Sequence, residues 1–151
     1  MLQKPWNIYL AGEIHTPWRD EIKTAISKKK INATTLGPET DHERSDYCGD
    51  LILGPEENSF WKDHKAAKIN AIRNRKGMEA ADIVVVRFGD KYRQWNASFD
   101  AGIAYALGKS IITYHDSSLD HALKEVDSAA LVVARSVQQI IATLEYVISE
   151  A

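Results

Sequence analysis

The run Asp82-Ile83-Val84-Val85-Val86 constrains this chain more than any other stretch. A strand that is apolar and β-branched at every position is buried on both faces, as strands are in parallel sheets covered by helices. Short apolar runs of the same kind recur. Residues 7–12 (Asn-Ile-Tyr-Leu-Ala-Gly) end at a glycine, and residues 33–36 (Ala-Thr-Thr-Leu) stop at Gly37-Pro38. Residues 109–114 (Lys-Ser-Ile-Ile-Thr-Tyr) follow Gly108, and Leu131-Val132-Val133 is the last run.

Segments of helical period separate these strands. Thr16 is the expected N-cap of the first helix, with Pro17 at the first helical position and Trp18, Ile22, Ala25 and Ile26 as its apolar stripe. Asp20 and Glu21 at its start and Lys28, Lys29 and Lys30 at its end complement the helix dipole. A short helix is expected over residues 45–53. A longer one over 62–79 turns Ala66, Ile69 and Ile72 inward, and another over 96–107 turns Phe99, Ile103 and Ala106 inward. The final helix starts at Ser136, with Gln139 completing a capping box, and buries Val137, Ile140, Ile141, Leu144 and Val147. Such alternation predicts one α/β domain over residues 1–151, a doubly wound five-stranded parallel sheet of flavodoxin-like order 2-1-3-4-5.

Composition agrees with a single globular domain. The 151 residues are 44% hydrophobic and 26% charged, which excludes a disordered tail and a fibre. The net charge of −2 leaves no basic excess, so a nucleic-acid partner is not expected. No apolar run is long enough to span a membrane, and the first residues lack the apolar core of a secretory leader. The single cysteine, Cys48, cannot form an internal disulfide, which fits a cytoplasmic protein.

In sheets of this order ligands bind beyond the carboxyl ends of the strands, where the strand order reverses. That rule singles out residues 11–19, 37–46 and 88–100. The first loop holds Gly12, Glu13, His15, Trp18 and Arg19 beside a helix N-terminus, where anions bind readily. It matches neither the G-x-G-x-x-G dinucleotide pattern nor a P-loop. The second loop, with Asp41, His42, Ser45 and Asp46, reads as a hydrogen-bonding surface for a polyhydroxyl ligand. One His among carboxylates lacks the spacing of a zinc site, so no metal is expected. The third loop sets Phe88, Trp95 and Asn96 ahead of Asp100, with the aromatics suited to stacking on a nucleobase. Asp100, among the small residues Ala101, Gly102 and Ala104, serves the helix dipole or acts as a carboxylate nucleophile at an anomeric carbon.

These residues resemble a known family. Tyr9-Leu10-Ala11-Gly12-Glu13-Ile14-His15 with Trp18-Arg19, then Gly37-Pro38, Arg44-Ser45-Asp46, Gln94-Trp95-Asn96 and Asp100, are similar to the YtoQ-type family, grouped with the nucleoside 2-deoxyribosyltransferases. Ala81-Asp82 opens the apolar strand as in that superfamily, and counting back from Gly108-Lys109 puts the nucleophile's position at Asp100. The superfamily has Glu there; it also has an Asp where Gln94 stands, and another with no clear counterpart among Asn70, Arg73 and Asn74. The resemblance implies an enzyme that transfers or hydrolyses an N-glycosidic bond of a nucleoside, nucleotide or related metabolite, without a cofactor. Asp100 is the implied nucleophile, the leaving base is protonated by Glu13 or by water, and His15 is a further proton-transfer candidate. Arg19 and Arg73 position the ligand, Trp95 and Phe88 hold the base, and Gly12, Trp18, Gly37, Asp41, Ser45, Asp46 and Asn96 complete the expected binding set. A homo-oligomer, a dimer or larger, is also implied. The alternative is a non-catalytic binding module for a nucleotide metabolite on the same fold.

Overall fold

In a computed structural model, described over residues 3–149, five strands form one parallel sheet of order β2-β1-β3-β4-β5. The strands are β1 (Trp6–Gly12), β2 (Ala33–Leu36), β3 (Ile83–Arg87), β4 (Ser110–Tyr114) and β5 (Val132–Ala134). The helices are α1 (Trp18–Lys29), α2 (His42–Leu53), α3 (Ser59–Ala80), α4 (Trp95–Ala106), α5 (Lys124–Ser128) and α6 (Val137–Ser149). The expected strand order holds. The last strand is shifted by one residue relative to expectation, and β4 and β5 are joined by a 3-10 turn and the short α5.

The period-2 alternation of the strands divides the core into two layers. Ile8, Leu10, Ile83, Val85 and Ile112 face α1 and α6. Tyr9, Ala11, Val84, Val86 and Ile111 face the other way, against Met78 of α3 and Ala97, Ala101 and Ala104 of α4. Helices therefore cover both faces, as the unbroken apolar run in β3 requires.

Several local expectations are corrected. The buried stripe of α4 is Ala97, Ala101 and Ala104, whereas Phe99 is 70% exposed. Ala106 is exposed too. Two stripes at helical spacing competed, and the small one faces the sheet. Ile72 of α3 is likewise exposed, because α3 spends its inner side on α2 and touches the sheet sparingly. Thr16 does not cap α1: its hydroxyl donates to Glu13 Oε2 and turns back into the loop, leaving Pro17 at the cap position. Helix α2 begins at His42, a turn earlier than expected, because Asp41 Oδ1 accepts the Arg44 N–H at 2.9 Å. At α6 the Ser136 hydroxyl accepts the Gln139 N–H, but the Gln139 side chain returns to the Arg135 N–H instead of that of Ser136.

Candidate active site

Strand β1 ends at Gly12, whose φ of +102° is open to glycine and costly for other residues. A β-carbon there would overlap the Arg87 carbonyl and stand 2.9 Å from the Arg87 nitrogen. This bend sends Glu13 over the carboxyl edge of the sheet, where its N–H donates to Arg87 O at 3.0 Å. The loops after β1, β2 and β3 surround a cleft of two adjoining chambers. The outer one, about 510 Å³, lies between Gly12 to His15, the first turns of α2 and the loop running from Tyr92 into α4. The inner one, about 700 Å³, lies between α2, α3 and α4. Ser45, Asp46, Asn74, Asn96 and Asp100 line both chambers.

Asp100 sits at this junction, in the second turn of α4 because Gln94, not Asn96, is the cap residue. No donor among the described residues hydrogen-bonds its carboxylate. Burial pushes its pKa up to about 6, against the opposing pull of the Arg19 charge. A desolvated carboxylate without donors is a stronger nucleophile than one in water, and at neutral pH it is still mostly ionised.

Of the expected site residues, the structure brings Gly12, Glu13, His15, Ser45, Asp46, Trp95, Asn96 and Asp100 to the cleft. The Glu13 carboxylate is occupied there. It accepts the backbone N–H groups of His15 and Thr16 and the Thr16 hydroxyl, which makes it the brace of its own loop. The His15 ring rests on Tyr92, with centroids 4.8 Å apart, and Trp95 stays 68% exposed at the entrance.

Six expected residues lie elsewhere. Trp18 is buried in the α1 layer of the core, and its indole N–H donates to Glu13 O at 2.8 Å. Arg19 is also buried, and its Nε, Nη1 and Nη2 donate to the carbonyls of Leu10, Glu13 and Gly12. It holds the end of β1 together and does not line the cleft. Burial pulls its pKa down to about 10, so it remains charged. Gly37 backs onto the Leu10 carbonyl, 3.3 Å from where a β-carbon would stand. Asp41 is consumed as the α2 cap. Arg73 turns to Glu39, at 3.7 Å. Phe88 is 4% exposed and packs in the core against His115, so it cannot stack on a base in the cleft.

Sequence reading missed Tyr9 and Asn74. The Tyr9 hydroxyl donates to Asn74 Oδ1 at 3.3 Å. Burial, then the Asp100 charge, raises its pKa, so it stays a neutral phenol. The available signal was period 2: Tyr9 alternates with Ile8 and Leu10 and so faces α3 and α4. Gln94 was read as a departure from the superfamily; its Oε1 accepts the Gly89 N–H at 2.6 Å, and its buried Nε2 has no partner. A separate cluster, His115, Asp120 and Asp127, has ligand atoms within 4.8 Å of one another beyond β4. Arg135 Nη1 lies 2.6 Å from Asp120 and 3.3 Å from His115 Nδ1, so a guanidinium already stands where a cation would bind. Of the acidic loop residues weighed as metal ligands, His42 and Asp46 are in contact, at 3.3 Å, while Asp41 faces the helix end.

A parallel sheet of this order with a carboxylate-bearing cleft at its switch point defines a class of doubly wound α/β domains. Within it the chain belongs to the family described as nucleoside 2-deoxyribosyltransferase YtoQ, which matches residues 9–148. It is 44% identical over 139 residues to the uncharacterized protein YtoQ of Bacillus subtilis (strain 168), covering 92% of this chain and 94% of that one. Among solved structures it is similar to a 2-deoxyribosyltransferase from Bacillus psychrosaccharolyticus, with a TM-score of 0.54 and 18% identity over 91% of this chain and 95% of that one. It is also similar to DNA processing protein A from Helicobacter pylori, described for its single-stranded DNA binding, with a TM-score of 0.55 and 16% identity over 96% of this chain and 82% of that one. At these identities the structural likeness is one of fold. No helix among the described residues is long and apolar enough to cross a membrane.

Proposed function

We propose that this chain is a cytoplasmic enzyme that breaks, or breaks and remakes, the N-glycosidic bond of a nucleoside-like metabolite, with Asp100 as nucleophile. The observation that carries the reading is the Asp100 carboxylate, free of hydrogen bonds at the junction of the two chambers. Family membership supports the same chemistry. An Asp100 oxygen attacks C1′, the C1′–N bond breaks, and its electron pair leaves with the base. Water, or a second base, then attacks C1′ of the glycosyl ester and frees the carboxylate. Trp95 at the entrance offers a face for the base.

The test is base release, followed by chromatography, from nucleosides, 2′-deoxynucleosides and their monophosphates, with and without a second free base. Release that disappears in Asp100→Asn while the fold persists is the expected result. Silence across the panel from folded wild type overturns it. The competing reading is a binding module without turnover, favoured by the neutral amides Asn74, Asn96 and Gln94 along the cleft. It requires ligand binding that survives Asp100→Asn without any base release. Chambers of about 510 and 700 Å³ suit one nucleoside better than a strand, and titration with a single-stranded oligonucleotide is expected to show no saturable binding.

We also propose that the chain acts as a homo-oligomer. Leu51, Ile52 and Leu53 of α2 and Phe60 and Trp61 of α3 are all more than half exposed, an apolar surface of the kind that pairs with a second copy.

A further inference from the structure

We propose that the junction of the two chambers is a sugar subsite built for ribose, in which Asn96 reads the 2′-hydroxyl of the substrate. The inference rests on the reading of Asp100 as nucleophile.

The side chains shared by both chambers are Ser45, Asp46, Asn74, Asn96 and Asp100, and each of them makes hydrogen bonds. Aromatic surface lies to either side. Trp95 lines the outer chamber and Phe99 the inner one, and both rings are exposed. A flat base belongs against such rings, and a hydroxylated sugar belongs among amides, carboxylates and a hydroxyl.

Position on α4 selects Asn96 within that set. It precedes Asp100 by one helical turn, so the two share a face with β-carbons ~5–6 Å apart. Helical side chains tilt toward the N-terminus, which leans the Asp100 carboxylate over the turn that carries Asn96. The Asn96 amide has no hydrogen-bond partner among the described residues. Its neighbours at the junction are engaged. Ser45 Oγ accepts from Asn70 at 3.2 Å, Asp46 meets His42 at 3.3 Å, and Asn74 Oδ1 accepts from Tyr9 at 3.3 Å.

The stereochemistry of the sugar says what this amide meets. The base of a nucleoside stands on one face of the ring, and the Asp100 oxygen attacks C1′ from the other. In ribose the 2′-hydroxyl lies on the attacked face, on the carbon next to C1′. In arabinose it lies on the base's face, and in 2′-deoxyribose it is missing. An amide beside the nucleophile therefore meets the 2′-hydroxyl of ribose alone of the three. Asn96 Oδ1 accepts a hydrogen bond from that hydroxyl, and the electron density left on the 2′-oxygen eases the positive charge developing at C1′. Asn96 exchanges no proton. The C1′–N pair leaves with the base, which takes a proton from solvent. The water that then attacks C1′ returns one as the ester bond to Asp100 breaks.

The experiment compares three sugars under one base on the full chain: adenosine, 2′-deoxyadenosine and arabinosyladenine, then the same series with uracil. Base release by wild type, Asn96→Ala and Asp100→Asn is divided by the spontaneous rate of each nucleoside, because the 2′-deoxy bond is intrinsically weaker. Each variant is checked by its unfolding midpoint. The exposed Asn96 side chain has no partner to lose, so Asn96→Ala is expected to fold. Wild type is expected to accelerate release from the ribonucleoside about 10²-fold more than from the other two. In Asn96→Ala the three accelerations are expected to converge, through a loss on the ribonucleoside. Equal acceleration of all three by wild type, or a preference for 2′-deoxyribose, would overturn the proposal. So would a ribose preference that survives Asn96→Ala, or an equal loss on all three sugars. Folded wild type that releases base from none of them overturns the Asp100 reading itself, and this inference with it.

Discussion

The Arg19 guanidinium opposes the burial that raises the Asp100 pKa without forming an ion pair with its carboxylate. Each of its three nitrogens donates to a backbone carbonyl at the end of β1 or in the loop after it. One buried cation thus shapes the loop that walls the cleft and tempers the carboxylate at its junction.

The first consequence is a pH signature. The folded-state pKa of Asp100 lies at about 6, above the ordinary 3.8. Between those values the folded chain holds a proton that the unfolded chain has released. Stability is therefore full below 3.8, declines as pH rises through about 6, and is level above that. Asp100→Asn removes the decline and stabilises the chain at pH 7 by ~3 kcal/mol at most. Urea titrations of both proteins at pH 4 and pH 7 check this. Base release by wild type should rise with pH through the same window, because the nucleophile must be ionised; a flat profile there contradicts the assignment.

Arg19→Met keeps the apolar stem and removes all three donors. The carbonyls of Leu10, Gly12 and Glu13 then lose their charged partner in a buried setting. The expected cost is ~3 kcal/mol or more, since unmade hydrogen bonds in the interior each cost ~1–3 kcal/mol. Lysine is expected to rescue little, because one ammonium lacks the guanidinium's fork geometry. The midpoint of urea unfolding measures both variants; stability near wild type in Arg19→Met would show that the loop does not depend on this residue.

Gly12→Ala tests the bend that opens the cleft. The new methyl would require both the positive φ and a shift of the Arg87 backbone in β3. A loss of ~2 kcal/mol or more is expected from calorimetry or denaturant titration. Gly102→Ala is the control, because its β-carbon position is open and its φ is not left-handed. It should be neutral or slightly stabilising.

Oligomerisation is checked by sedimentation. A single chain weighs 16.9 kDa, and wild type is expected to sediment at twice that mass or more. Leu51→Glu combined with Phe60→Glu, two exposed positions on α2 and α3, should shift the distribution toward the monomer without unfolding it. A wild-type monomer at high concentration would instead leave that apolar surface unexplained.

The strand order, the two-sided core and the loops that carry the cleft are legible in the sequence. Ile83 to Val86 reads as a doubly buried strand on composition alone. Asp100 was readable through its place ahead of Gly108-Lys109 and in the β3 loop region. The direction of the side chains was less legible. Trp18, Arg19 and Phe88 lie in the right segments and still point into the core. Nothing local distinguishes an arginine that binds a ligand from one that binds three carbonyls, because the same donors serve either partner.

What the sequence by itself determined is the periodicity: which runs form strands, which form helices, and, through right-handed crossovers, in what order they pair. What only the tertiary structure decided is which polar groups remain free after folding. Phe99 and Ala101 both lie at helical spacing on α4, and the close approach of helix to sheet chose the alanine. Glu13, Arg19, Asp41 and Arg73 were captured by carbonyls, amides and counter-charges brought near by folding. Asp100 kept a carboxylate that no donor among the described residues hydrogen-bonds, at the place where α2 and α4 face the same cavity.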